Sequence, residues 1–170
     1  EKITYDKEQT HLMDFGSGTG LLTSQVAPYV KKITTVDISS SMNEVLRSKA
    51  DTLPCEVVMH EIDLVHTELE ERFHGIISSM TIHHVENVPA LLEKFHRMLH
   101  AGGTIALADL DKEDGSFHTE NTGVFHFGFD KDELEKTLIN NGFKIVDYKI
   151  VLIDKREDRD FPIFNLIVQK

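Results

Sequence analysis

The stretch "LMDFGSGTGLL", residues 12 to 22, constrains the fold more than any other part of this chain. A short apolar run carrying one aspartate, Asp14, leads into glycines at 16, 18 and 20, and a helix-period segment follows at once. A glycine costs a strand or helix about 0.5–1 kcal/mol relative to alanine, so three at alternate positions belong to a bend between elements. The reading is strand, tight turn, helix. Glycines there let the backbone approach a ligand closely, and the helix start supplies free N–H groups and a partial positive charge. Open α/β sheets bind their ligands at this place, the carboxyl end of a strand.

The rest of the chain repeats the alternation. Strands are expected at 11–15, 33–37, 55–59, 75–79 and 104–108, with two more at about 145–153 and 163–169. Helix-period segments lie between the earlier ones, so the expected class is α/β with a mostly parallel sheet. Ser41 and Glu44 have capping-box spacing at the start of one helix. Leu91, Leu92, Phe95, Met98 and Leu99 form an amphipathic stripe on another, which Gly102-Gly103 is expected to stop. Asp130 to Glu133 opens a third, closed by Asn141-Gly142. Residues 154 to 162 leave no room for a helix, so the last two strands should form an antiparallel hairpin around a loop. Residues 109 to 129 have no period but carry four phenylalanines, which points to a functional lid over a disordered piece.

At 170 residues one domain is expected over the whole chain. No apolar run approaches the roughly 18–20 residues that span a bilayer. The net charge of −11 disfavours nucleic acid or an anionic membrane as partner. The one cysteine, Cys55, excludes an internal disulfide and fits a cytoplasmic setting.

The ligand can be narrowed. A dinucleotide fingerprint needs a third glycine at 21, where this chain has Leu21, and no Gly-Lys-Ser/Thr follows as a phosphate loop requires. This disfavours a nicotinamide-dependent oxidoreductase. Asp14 would repel a pyrophosphate but stabilise an ammonium or sulfonium. Asp37, at the tip of the second strand, can accept both ribose hydroxyls, each such charge-assisted bond worth roughly 1.5–3 kcal/mol. Asp63, after the third strand, can meet an adenine amino group.

These segments, with "VDIS", "IDL", "GIISSMTIHHV" and "MLHAGGTIALADL", resemble in order and spacing the class I S-adenosylmethionine-dependent methyltransferases. The chain is most similar to the small-molecule enzymes of the ubiquinone/menaquinone-biosynthesis type. The resemblance covers residues 11 to 170. It implies a Rossmann-like seven-stranded, mostly parallel sheet, last strand antiparallel, with helices on both faces. It implies S-adenosyl-L-methionine as cofactor and a small-molecule methyl acceptor as partner. Asp14, Gly16, Ser17, Gly18, Thr19 and Gly20 would cradle the methionine end. Asp37 would hold the ribose, with Ile38 and Met42 near the adenine. Asp63 would bond the adenine amino group, Leu64 would flank the ring, and Ser79 and Met80 would lie under the sulfonium. Two departures stand out. His74 occupies the place of an aspartate usual at the start of the fourth strand. About ten residues precede the first strand where the family carries one or two cap helices, so those helices are missing from this chain or the pocket is open.

Methyl transfer from a sulfonium needs alignment above all, and a general base only where the nucleophile is protonated. His83 and His84 are the candidates for a base, or else they pack and cap the next helix. Thr81, His84, Asp109 and His118 are expected to face the substrate. The spacing of His118, His126, Asp109, Asp111 and Asp114 matches no strong ligand motif, so no metal is expected. The other histidines read as surface residues. The four phenylalanines of 109–129 either line an apolar substrate site or anchor the lid. The expected function is methyl transfer by in-line displacement. The alternative is a non-catalytic module of the same fold that holds the cofactor or a partner protein.

Overall fold

The computed structural model describes residues 5–118, 120, 123–156 and 159–170. Seven strands form one sheet: β1 (His11–Phe15), β2 (Lys32–Asp37), β3 (Glu56–Glu61), β4 (Phe73–Ser79), β5 (Leu99–Leu110), β6 (Lys144–Lys155) and β7 (Asp160–Gln169). Their spatial order is β3-β2-β1-β4-β5-β7-β6. The pairs among β1 to β5 are parallel, and β7 runs antiparallel to both neighbours. The order reverses beside β1, so the bend at residues 16–20 lies at the switch point where such sheets open a crevice.

Strand periodicity sorts the core onto two faces. Leu12, Ile33 and Ile77 point one way and pack with Ala27 and Val30, which follow helix α1 (Leu21–Val26). Met13, Phe15, Ile76, Ile105 and Leu107 point the other way, toward α3 (Val88–Met98) and α4 (Lys131–Asn140). Helices therefore cover both faces, as expected. On α3, Leu91, Leu92, Phe95 and Met98 are buried, each contributing about 1.5–3 kcal/mol through apolar burial. Helix α2 (Ser40–Ala50) joins β2 to β3. Among the described residues, no helix is long and apolar enough to cross a membrane.

Strand β3 runs to Glu61 and β4 begins at Phe73, each two residues beyond expectation, and three further boundaries differ. Helix α2 is capped by Ser39, whose side chain accepts from the Met42 N–H at 3.4 Å, instead of by Ser41. The shift has a cause: Asp37 Oδ1 accepts the Ser39 N–H at 2.8 Å and sets the chain's entry into the helix. Gly102-Gly103 does not end α3. The helix stops at Met98, and β5 starts five residues earlier than expected, at Leu99, with a register shift between the Phe73 and Gly75 pairs. The loop expected at 154–162 is shorter. Ile153, Asp154 and Lys155 pair with Pro162, Phe161 and Asp160, and Arg156 and Arg159 exchange backbone hydrogen bonds. Buried Phe161 draws β7 into pairing this far out.

The segment 109–129, of which 119, 121 and 122 lie outside the described residues, is tied to the sheet. Asp111 N–H donates to Pro162 O, Phe129 N–H to Leu110 O, and Glu113 N–H to Phe127 O. One carboxylate oxygen of Glu113 accepts the N–H groups of Gly115, Ser116 and Phe117. The phenylalanines divide between the two expected roles. Phe129 joins the core and Phe117 packs edge-on against Phe161, whereas Phe125 lines the cavity described next.

Candidate active site

A cavity of about 1270 Å³ opens at the carboxyl ends of β1, β2 and β4. Its first wall is the bend after β1. Gly16, Gly18 and Gly20 all have positive φ, between 52° and 75°. Gly16 is wedged against Thr81: an added Cβ would lie 2.1 Å from Thr81 Cγ2. Gly18 differs, since an added Cβ there meets nothing within 4 Å. Its bare face therefore looks onto open space in a residue that lines the cavity. Gly20 is off the lining and serves helix packing, with Leu46 Cδ1 2.3 Å from where a Cβ would be.

Asp14 sits at the base of this wall, 1 % exposed, accepting from Thr23 Oγ1 at 2.5 Å. Burial pushes its carboxyl up to about 6, against the opposing hydrogen bond from Thr23. Asp37 closes the wall from β2: Oδ2 accepts the Gly18 N–H at 2.7 Å while Oδ1 holds Ser39. Each oxygen keeps a second lone pair for a ligand. Ile38 and Met42 line the same side and are exposed.

The wall continues into the loop after β3, the neighbour of β2, with Asp63, Leu64 and His66. His66 is thus a cavity residue and not merely a surface one. A residue that sequence reading missed holds this loop. Lys94, on α3, is 7 % exposed, and its ammonium donates to Leu64 O at 2.8 Å and Thr67 O at 2.9 Å, with Val65 O at 3.4 Å. It also pairs with Glu68 at 3.2 Å. The available signal was a lysine three residues after Leu91, inside the apolar stripe.

The floor is the turn after β4. Ser79, Met80, Thr81 and His84 all line the cavity. Met80 has φ 54°, a strained value for a side-chain-bearing residue, and its N–H donates to Ala108 O. Thr81 Oγ1 donates to Ser79 O at 3.0 Å, with Gly16 O at 3.3 Å, which locks floor to wall. His84 Nδ1 bonds Gly123 O at 2.7 Å. A carbonyl only accepts, so Nδ1 carries the proton and Nε2 is left as the basic nitrogen.

Two expected substrate-facing residues lie elsewhere. Asp109 is fully buried off the lining, bonded to His83 Nδ1 at 2.6 Å and to the Leu110 N–H. His118 packs against His83 and His84, ring centroids 5.0 and 5.8 Å away, and burial together with those imidazoles lowers its pKa. His83 is 1 % exposed and also off the lining, so of the two candidate bases only His84 reaches the cavity. His83 Nε2, Asp109 Oδ2, Glu113 Oε1 and His118 Nε2 are buried without a partner. No group of three or more His, Cys, Asp or Glu among the described residues is placed to hold a metal ion.

Residues 13–107, more than half of the chain, match the family model described as "Methyltransferase domain". The chain belongs to this family. An uncharacterized methyltransferase of Schizosaccharomyces pombe is 28% identical over 140 residues, 73% of this chain and 49% of that protein. One from Bacillus thuringiensis is 27% identical over 106 residues, 61% of this chain and 49% of that protein. The chain thus spans about half the length of the curated relatives it matches. Among solved structures, an S-adenosylmethionine-dependent methyltransferase from Mesorhizobium loti superposes with TM-score 0.75 at 18% identity, covering 95% of this chain and 91% of that one. The [4+2]-cyclase SpnF superposes with TM-score 0.77 at 18% identity, covering 95% and 74%.

The cofactor of this methyltransferase domain is S-adenosylmethionine, and the residues present fit it. The cradle at Gly18 is open, Ser17 Oγ is buried with no partner, and a buried carboxylate stands at the base to meet a cation.

Proposed function

We propose that this domain transfers a methyl group from S-adenosylmethionine to a small-molecule acceptor by in-line displacement. When bound, the cofactor supplies a methyl group already activated on a sulfonium. The remaining work falls to the chain's own residues. Asp14 and Gly16 to Thr19 hold the charged methionine end, with Gly20 shaping the bend from behind. Asp37 takes the ribose hydroxyls, Ile38, Met42 and Leu64 enclose the adenine, and Asp63 accepts from its amino group. Ser79 and Met80 sit beneath the reacting carbon. Thr81 and His84 border the acceptor, with His84 Nε2 free to take its proton. Apolar Leu21, Leu22, Val85 and Phe125 exclude water from the acceptor side. His83 and Asp109 act from behind this surface, as a pair that fixes the turn carrying His84. The segment 109–129 serves as the lid. The observation that carries this reading is one cavity joining the three carboxylates, the open glycine cradle and His84. The lone half-buried thiol of Cys55 supports a reducing, cytoplasmic setting.

The test is calorimetric titration with S-adenosylmethionine and S-adenosylhomocysteine, followed by transfer of labelled methyl to small-molecule extracts. Saturable binding of both with a labelled product is expected. Binding without any labelled product would favour the non-catalytic module, and no binding would refute the cofactor assignment for these residues.

A further inference from the structure

The cavity lining carries Asp14, Asp37, Asp63 and Glu86 and, among the described residues, no lysine or arginine. Three of these carboxylates belong to the cofactor half. Glu86 lies on the other half, two residues beyond His84, and among the described residues nothing hydrogen-bonds or pairs with it. The same lining includes exposed apolar side chains, Leu21 at 72 % and Phe125 at 54 %.

We propose that the methyl acceptor is an amine carried on an apolar body. This rests on the methyl-transfer reading and names its substrate class. A carboxylate or phosphate acceptor would enter a cavity lined by four carboxylates and, among the described residues, by no lysine or arginine, and like-charge juxtaposition suppresses such partners. A neutral hydroxyl can donate one hydrogen bond to Glu86 but gains no charge–charge attraction from the acidic lining. An amine arrives as ammonium, is drawn in by the acidic lining and the overall charge of −11, and meets Glu86 at the mouth. The ammonium then gives a proton to His84 Nε2, the accepting nitrogen of the tautomer whose Nδ1–H donates to Gly123 O. The freed nitrogen pair forms the new N–C bond as the carbon–sulfur bond breaks, and that electron pair stays on sulfur. The proton on His84 passes to water.

A purely structural role for Glu86 also has a physical basis, because it precedes the N-terminus of α3, where a negative charge is favoured. The experiment separates the two. Protein saturated with S-adenosylhomocysteine is titrated with tryptamine, tryptophol and indole-3-acetate, which share one apolar body and differ in charge. Tryptamine is expected to bind at least tenfold more tightly than tryptophol, with no heat from indole-3-acetate. In Glu86→Gln the tryptamine preference falls to within about threefold, while S-adenosylhomocysteine affinity stays within about twofold. Equal binding of tryptophol or indole-3-acetate, no binding of tryptamine, or an unchanged preference in Glu86→Gln overturns the proposal. Failure to take up S-adenosylhomocysteine would overturn the methyl-transfer reading first, and this one with it.

Discussion

Two glycines of one loop should respond to the same substitution in different ways. Gly16 and Gly18 both have positive φ, 68° and 52°, so an alanine at either carries a backbone penalty of about 1–2 kcal/mol. They differ in what the new methyl meets. At position 16 it falls 2.1 Å from the stiff, β-branched Thr81 side chain, which adds an overpacking cost of about 1–3 kcal/mol. At position 18 it meets nothing and projects into open space at the cavity wall, where the proposed cofactor would lie. For a chain of this length 1 kcal/mol shifts Tm by about 2–4 °C. Gly18→Ala should therefore lower Tm by about 2–8 °C yet weaken S-adenosylhomocysteine binding at least tenfold, about 1.4 kcal/mol. Gly16→Ala should lower Tm further, by about 4–20 °C, and the companion change Thr81→Ala should recover part of that loss. Scanning calorimetry and titration on the same samples decide it. Unchanged cofactor affinity in Gly18→Ala, or equal destabilisation by both alanines, would refute the assignment of one glycine to ligand approach and the other to packing.

Asp14→Asn tests the buried carboxylate. With its folded pKa at about 6 against 3.8 unfolded, the native state holds more protons between those values, so stability falls as pH rises through 6 by roughly 3 kcal/mol. The asparagine variant should lose that pH slope in denaturant melts, and its cofactor affinity should no longer climb between pH 5 and 7 in calorimetry. Lys94→Met should keep α3 packed but release the loop at 63–67, raising the S-adenosylhomocysteine Kd tenfold or more; an unaltered Kd would count against the loop's role. Asp109→Ala strands His83 in the core and should cost about 3–5 kcal/mol in urea unfolding; a loss below 1 kcal/mol would mean the pair is not load-sharing.

The sheet was legible because its signals are local. Alternation from His11 to Phe15 or Lys32 to Asp37 needs no partner to be read, and the bend at 16–20 announces itself by composition. The carboxylates at 14, 37 and 63 were legible for the same reason, since each stands next to a strand's end. What escaped was decided across the sequence. Asp109 lies 26 residues from His83, and only the fold brings its buried carboxylate onto that imidazole and off the cavity lining. Gly20 looks like part of the cradle until Leu46, on another helix, occupies the space beside it. Lys94 broke an apolar stripe, and nothing nearby in sequence says that its ammonium reaches back about thirty residues to three carbonyls.

That lysine has a mechanical consequence. To swing the wall at Asp63 and Leu64 outward, its charge must abandon every oxygen around it while still rooted in the core, so opening this half of the cleft is costly. On the proposed reading, traffic of cofactor and product falls to the other rim, where Phe125 and Gly123 hang from the histidine turn by a few hydrogen bonds that can break one at a time.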